Sequence, residues 1–164
     1  MERKKILLVD DSNTILMMEK FILRNDPYEL VTASNGEEAV RKAAEHRPDL
    51  ILLDVIMPKM GGFEACRLIR QDAATRDIPI IMVTTRGEAA NVETGWANGC
   101  NDYVTKPINA VELLAKVRSF LGVSALELLG AGSSGFLGIP RVSPSEVPEE
   151  RDGSEEPLSR KVAR

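Results

Sequence analysis

PDLILLDVIMPKMGG, from Pro48 to Gly62, joins four consecutive aliphatic residues, Leu50 to Leu53, to a carboxylate, Asp54, and then to a turn rich in proline and glycine. A short apolar run without alternation fits a strand buried on both faces, as in a parallel sheet covered by helices. The acid at its end is the anomaly, because a buried charge is costly unless something answers it.

Four more runs read the same way: KILLV (5–9), YELVTA (28–33), PIIMVT (79–84) and DYVT (102–105). Helical patterns lie between and after them. SNTILMMEKFILRN opens on a capping serine or asparagine and places Ile15, Met18, Phe21 and Ile22 on one face. NGEEAVRKAAEH carries acids in its first turn and bases later, which suits the helix dipole. GFEACRLIRQ follows, then GEAANVETGWANG, which stops at Asn98-Gly99. NAVELLAKVRSFLG has Asn109 as a cap, Gly122 as a stop, and Val111, Leu114, Val117 and Leu121 at helical spacing. Five β-α units in succession predict an α/β doubly wound parallel sheet with five helices on its two faces.

The chain has 164 residues, 43% of them hydrophobic and 28% charged, enough for one domain with a real core. The domain is expected over 1–122. From 123 to 164 glycine, proline, serine and charge dominate, and this segment reads as a mostly disordered tail or linker. Ser124 and Glu127 have capping-box spacing, and Phe136, Leu137 and Ile139 read as incidental. A net charge of -4 argues against direct nucleic-acid binding. The apolar run after MERKK is too short for a signal peptide, and no run reaches the length of a membrane span. Cys66, Cys100 and the single His46 make a poor zinc set, so the cysteines read as small packing residues of a reduced, cytoplasmic protein.

Open parallel sheets bind ligands beyond the carboxyl ends of their strands. At that rim the sequence places Asp10 and Asp11 after the first strand, Asp54 after the third, Thr84 and Thr85 after the fourth, and Lys106-Pro107 after the fifth. Two unit charges about 4 Å apart repel by about 4 kcal/mol at an effective dielectric near 20. Three such carboxylates call for a hard divalent cation, and few protein oxygens with retained waters favour magnesium over calcium. A metal, a carboxylate nucleophile, a lysine and a hydroxyl together fit phosphoryl transfer to Asp54.

ILLVDDS, LILLDVIMPKMGG, IIMVTT and DYVTKPI, in this order and spacing, resemble the receiver domain of two-component response regulators over residues 4–121. The resemblance implies a flavodoxin-like fold with strand order 2-1-3-4-5. It implies that Asp54 takes a phosphoryl group from a histidine kinase or phosphotransfer protein of a bacterial phosphorelay. Asp11, Asp54 and the backbone carbonyl of Ile56 would hold magnesium, with manganese as a substitute, and Asp10 would act through a bound water. Lys106 would contact the phosphoryl group, and the peptide before Pro107 would be cis. Thr84 and Tyr103 correspond to the switch pair that changes the surface of the fourth helix, fifth strand and fifth helix for a downstream protein partner. The protein would be a monomer or a phosphorylation-dependent dimer, and no enzyme beyond its own phosphorylation and dephosphorylation.

Departures from the family pattern are Ile56, Thr85 and Arg86, whose bulk predicts slow self-dephosphorylation, and Gly61, where an aspartate is common. Taken singly, Asp10-Asp11 could be a cap and a turn, Thr84 a strand end and Tyr103 a core aromatic. Trp96 and the Met17-Met18 pair read as packing, and His46 as a surface residue at a helix end. Besides a stand-alone receiver, the sequence admits a receiver module from a longer regulator whose output domain is missing. An aspartate-nucleophile phosphatase would need a second acid where Ile56 stands.

Overall fold

The computed structural model describes residues 3–85, 94 and 96–122. Five strands, β1 (Lys4–Val9), β2 (Tyr28–Ala33), β3 (Leu50–Asp54), β4 (Ile80–Thr85) and β5 (Asp102–Lys106), form one sheet in the order β2-β1-β3-β4-β5. Every pairing is parallel, with Ile6 beside both Leu30 and Leu50, and Asp54 beside Val83. Four helices are present among the described residues: α1 (Asn13–Leu23), α2 (Gly36–His46), α3 (Gly62–Gln71) and α4 (Ala110–Leu121).

The unbroken apolar runs are explained by two separate cores. Alternate residues point to opposite faces of the sheet. On one face Leu7, Val9, Ile51, Leu53, Ile80 and Met82 pack with Ala39 and Ala43 of α2 and Ala65, Cys66 and Ile69 of α3. On the other, Ile6, Leu8, Leu50, Leu52, Ile81 and Val83 pack with Leu16 and Leu23 of α1 and Leu113 and Val117 of α4. Leu50 to Leu53 are all fully buried, two toward each core.

The helix starts form as their caps predict. Ser12 accepts from the Ile15 N–H, Asn35 from Glu38 and Asn109 from Glu112, each satisfying a donor that the helix leaves unpaired. Gly122 ends α4 at φ 67°, the left-handed conformation glycine adopts without a steric penalty. Gly62 serves a different need. A Cβ there would lie 2.1 Å from the Asp54 carbonyl oxygen, so only glycine lets the start of α3 close against the end of β3.

Three sequence expectations need correction. The inward face of α1 is Leu16, Glu19 and Leu23, with Ile22 partly covered, whereas Met17, Met18 and Phe21 are exposed. The helix is apolar most of the way round, so its neighbours choose the buried stripe. On α4 the buried residues are Leu113, Val117 and Leu121, and Val111 faces solvent. Trp96 is 51% exposed, its ring set edge-on to Tyr103 with 5.7 Å between centroids. The helix expected over 87–99 falls largely outside the described residues. Of it, Thr94, Trp96 and Ala97 are helical, and the turn at Asn98-Gly99 is present. The tail expected over 123–164 lies outside them entirely.

Candidate phosphoacceptor site

The strands deliver their terminal residues to one rim. Asp10 follows β1 and is fully buried; Asp54 ends β3 and is 5% exposed; Thr84 lies near the end of β4, also buried; Lys106 ends β5. Asp11 stands on the exposed side. One carboxylate oxygen from each of Asp10, Asp11 and Asp54 lies within 4.8 Å of the others. The Lys106 ammonium reaches between two of them, 2.9 Å from Asp10 Oδ2 and 3.2 Å from Asp54 Oδ1. The Lys106-Pro107 peptide is cis, as expected.

Asp10 also anchors the neighbouring helix. Its Oδ1 accepts from the Ser12 N–H at 2.9 Å, and Ser12 in turn caps α1. Position and charge of the cluster are therefore tied to the start of α1.

Three carboxylates share a rim with one ammonium, a formal charge of two negatives, with Asp10 and Asp54 buried and Asp11 open to water. Burial, then the neighbouring Asp10, pushes the Asp54 carboxyl up to about 6, against the pull of Lys106. Burial would lower Lys106, but its bonds and attraction to Asp10 and Asp54 win and raise it above its ordinary value. The deficit matches a dication, and the donors are all hard oxygens, the set that magnesium takes. The residues present thus fit the metal that the chemistry calls for.

Tyr103 is half-buried in β5, against the α2–α3 core and the edge of Trp96. Ile56 lies two residues past Asp54 with its side chain 64% exposed. Thr85 is exposed, and Arg86 lies outside the described residues. His46 ends α2 at the surface, and both cysteines are buried and unpaired with each other, as the sequence suggested.

One residue escaped the sequence reading. Glu19 is 1% exposed on the inward stripe of α1, and its Oε2 has no hydrogen-bond partner. Its only sequence signal is its place three residues after Leu16 and four before Leu23, the spacing of a buried stripe.

Residues 6–118 match the family model of the response regulator receiver domain. The chain belongs to that family. The receiver is 42% identical over 118 residues to the alkaline phosphatase synthesis transcriptional regulatory protein PhoP of Bacillus subtilis, covering 72% of this chain and 48% of PhoP. It spans about half the length of the curated relatives it matches. Among solved structures, the chemotaxis protein CheY4 of Vibrio cholerae superposes with a TM-score of 0.68 at 36% identity, over 73% of this chain and 99% of CheY4. The receiver domain of the sensor histidine kinase PA1611 from Pseudomonas aeruginosa, solved with a magnesium ion coordinated in its active site cleft, gives 0.69 at 32% identity, over 74% of this chain and 100% of that one. No helix among the described residues is long and apolar enough to cross a membrane.

Proposed function

We propose that this receiver accepts a phosphoryl group on Asp54 from the phosphohistidine of a sensor kinase or phosphotransfer protein, and thereby switches its affinity for a downstream protein. The observation that carries this is the buried Asp54 carboxylate beside Asp10, with Lys106 3.2 Å away. In the step, an Asp54 carboxylate oxygen forms a bond to phosphorus, the phosphorus–nitrogen bond breaks, and its electron pair leaves on a neutral imidazole. Asp10, Asp11, Asp54 and the Ile56 carbonyl would hold magnesium, or manganese in its place. When bound, the dication neutralises charge on the phosphoryl oxygens. Lys106 swings from the carboxylates to a phosphoryl oxygen, and the Thr84 hydroxyl donates to another.

Thr84 and Tyr103 form the switch pair. The hydroxyl's move vacates space that the ring fills, and the surface that includes β5 and α4 changes with it. The shift is worth only what the phosphoryl contacts contribute differently to the two packings. The working unit is the domain over 1–122, in the cytoplasm, with 123–164 as tail or linker. The exposed bulk of Ile56 and Thr85 beside the acceptor slows entry of the attacking water, so the phosphoryl group outlives seconds.

The test is incubation with acetyl phosphate and magnesium, read by intact mass. The wild type gains one phosphoryl group and Asp54→Asn gains none. A labelled Asp54→Asn would mean another acceptor.

A second reading, a receiver module of a longer regulator, draws on the curated relatives, of whose length the matched region covers about half. A reading frame that continues past Arg164 into a patterned domain decides for it.

A further inference from the structure

Arg70 is a cation whose bonded partners are all neutral. From the last turn of α3 its Nε donates to the Gly99 carbonyl at 2.9 Å, Nη1 to the Arg76 and Ile78 carbonyls at 3.0 and 2.7 Å, and Nη2 to Asn101 Oδ1 at 2.8 Å. The guanidinium fork is thus spent on two chain segments, the connection from α3 to β4 and the turn that enters β5. Asn101 is itself pinned to the start of β4. Its N–H donates to the Ile80 carbonyl at 2.8 Å, and its Oδ1 accepts from the Ile80 N–H at 2.8 Å. One turn of α3 earlier, Cys66 Sγ donates to the Asn98 carbonyl at 3.2 Å, so α3 holds two successive carbonyls of the turn. Gly99 has φ 93°, and a Cβ there would lie 3.0 Å from Arg70 Cγ; glycine lets the arginine stem lie along the turn.

The held turn carries Trp96. The Gly99 N–H donates to the Trp96 carbonyl at 3.1 Å, and Asn98 gives its backbone N–H and its side-chain amide to the Thr94 carbonyl. The Trp96 ring stands edge-on to Tyr103, which lies opposite Met82 in the register of β4 and β5. We propose that Arg70 and Trp96 form a latch on the switch: Arg70 is a positioning residue that fixes the turn, and Trp96 is the wall that holds the Tyr103 ring in the packing it has here. The inference rests on the reading of Thr84 and Tyr103 as the switch pair. To turn inward, Tyr103 gives up its edge contact with Trp96, because the clamp on Gly99 keeps the indole from travelling with it. The contact therefore favours the unphosphorylated packing, and by linkage it weakens any ligand that selects the other one. The latch sets the bias of the switch, while phosphoryl capture stays with the rim.

The chain has one tryptophan, so its fluorescence reports on Trp96 alone. Beryllofluoride with magnesium serves as the phosphoryl mimic, its affinity read by calorimetry and the exposure of Trp96 by acrylamide quenching. Saturating the wild type should raise the quenching, as Tyr103 leaves the indole edge. In Arg70→Ala the quenching should be raised before any mimic is added, and beryllofluoride should bind roughly threefold tighter than to wild type, or more. Trp96→Leu changes a side chain that is half exposed, so it tests the wall without opening the core. It should tighten binding by a similar factor, and the double variant should bind no tighter than the better single one, because both break one contact. Equal affinity in wild type, Arg70→Ala and Trp96→Leu overturns the inference and leaves the switch reading standing. Tighter binding in Trp96→Leu with wild-type affinity and quenching in Arg70→Ala overturns the role of Arg70. Beryllofluoride that binds the wild type without moving the Tyr103 ring signals in NMR overturns the switch reading and the inference with it.

Discussion

Two ion-pair sites lie at similar depth in this protein and are built on opposite plans. Asp26, its side chain 1% exposed, takes two parallel hydrogen bonds from Arg118 at 2.9 and 2.8 Å, linking the α1–β2 turn to α4 across 92 residues of sequence. One acid meets one base in the fork geometry that guanidinium and carboxylate share. At the rim, three acids meet one ammonium, which divides itself between two of them. The first site is balanced, one charge against one. The second is left two charges short, and on the proposed function that shortfall is what would draw a cation and, through it, a phosphoryl group. Burial makes incomplete pairing expensive, a cost that the proposed function would explain.

The contrast can be broken most forcefully at the balanced site. Arg118→Ala strands a buried aspartate and should cost about 3 kcal/mol in denaturant unfolding, with no recovery on adding magnesium. A loss that magnesium repairs would mean the two sites are not separate. Lys106→Met probes the other plan. In chelator it should cost roughly 1–2 kcal/mol, less than Arg118→Ala, because Asp54 is already raised to about 6 and can take a proton instead. That cost should grow as pH rises through 6, and magnesium should restore most of it. A pH-independent loss would contradict the shortfall. The smallest effect belongs to a partly exposed pair outside both sites. Glu38 receives Lys42 at 2.8 Å and the Ser34 N–H, and the Lys42 bond leads in holding its carboxyl at about 2. Glu38→Gln should cost about 0.5 kcal/mol near neutrality. The depressed acid stabilises above its unfolded value near 4.5 and loses this as pH falls toward 2, so the two proteins should converge there.

Much of this was legible in the sequence because it is local. A buried parallel strand announces itself as LILL, its end as Asp54, and a helix start as Ser12, Asn35 or Asn109. Strand order then brings Asp10, Asp54 and Lys106 together without any side chain needing to be placed. The helix faces were less legible. In SNTILMMEKFIL apolar residues surround the axis, so periodicity alone chose Phe21 for the interior and overlooked Glu19. The error on Val111 has the same origin, since Leu113 and Leu114 compete for one stripe. The Asp26–Arg118 pair depends on tertiary approach and leaves no signal in either segment.

The most direct measurement is the melting temperature of wild type and Asp54→Asn, in chelator and in magnesium. If like charges are held together for function, Asp54→Asn melts higher than wild type in chelator, by roughly 1 kcal/mol or more in stability, and gains less from magnesium. An Asp54→Asn protein that melts lower in chelator, or responds to magnesium as wild type does, would contradict the account.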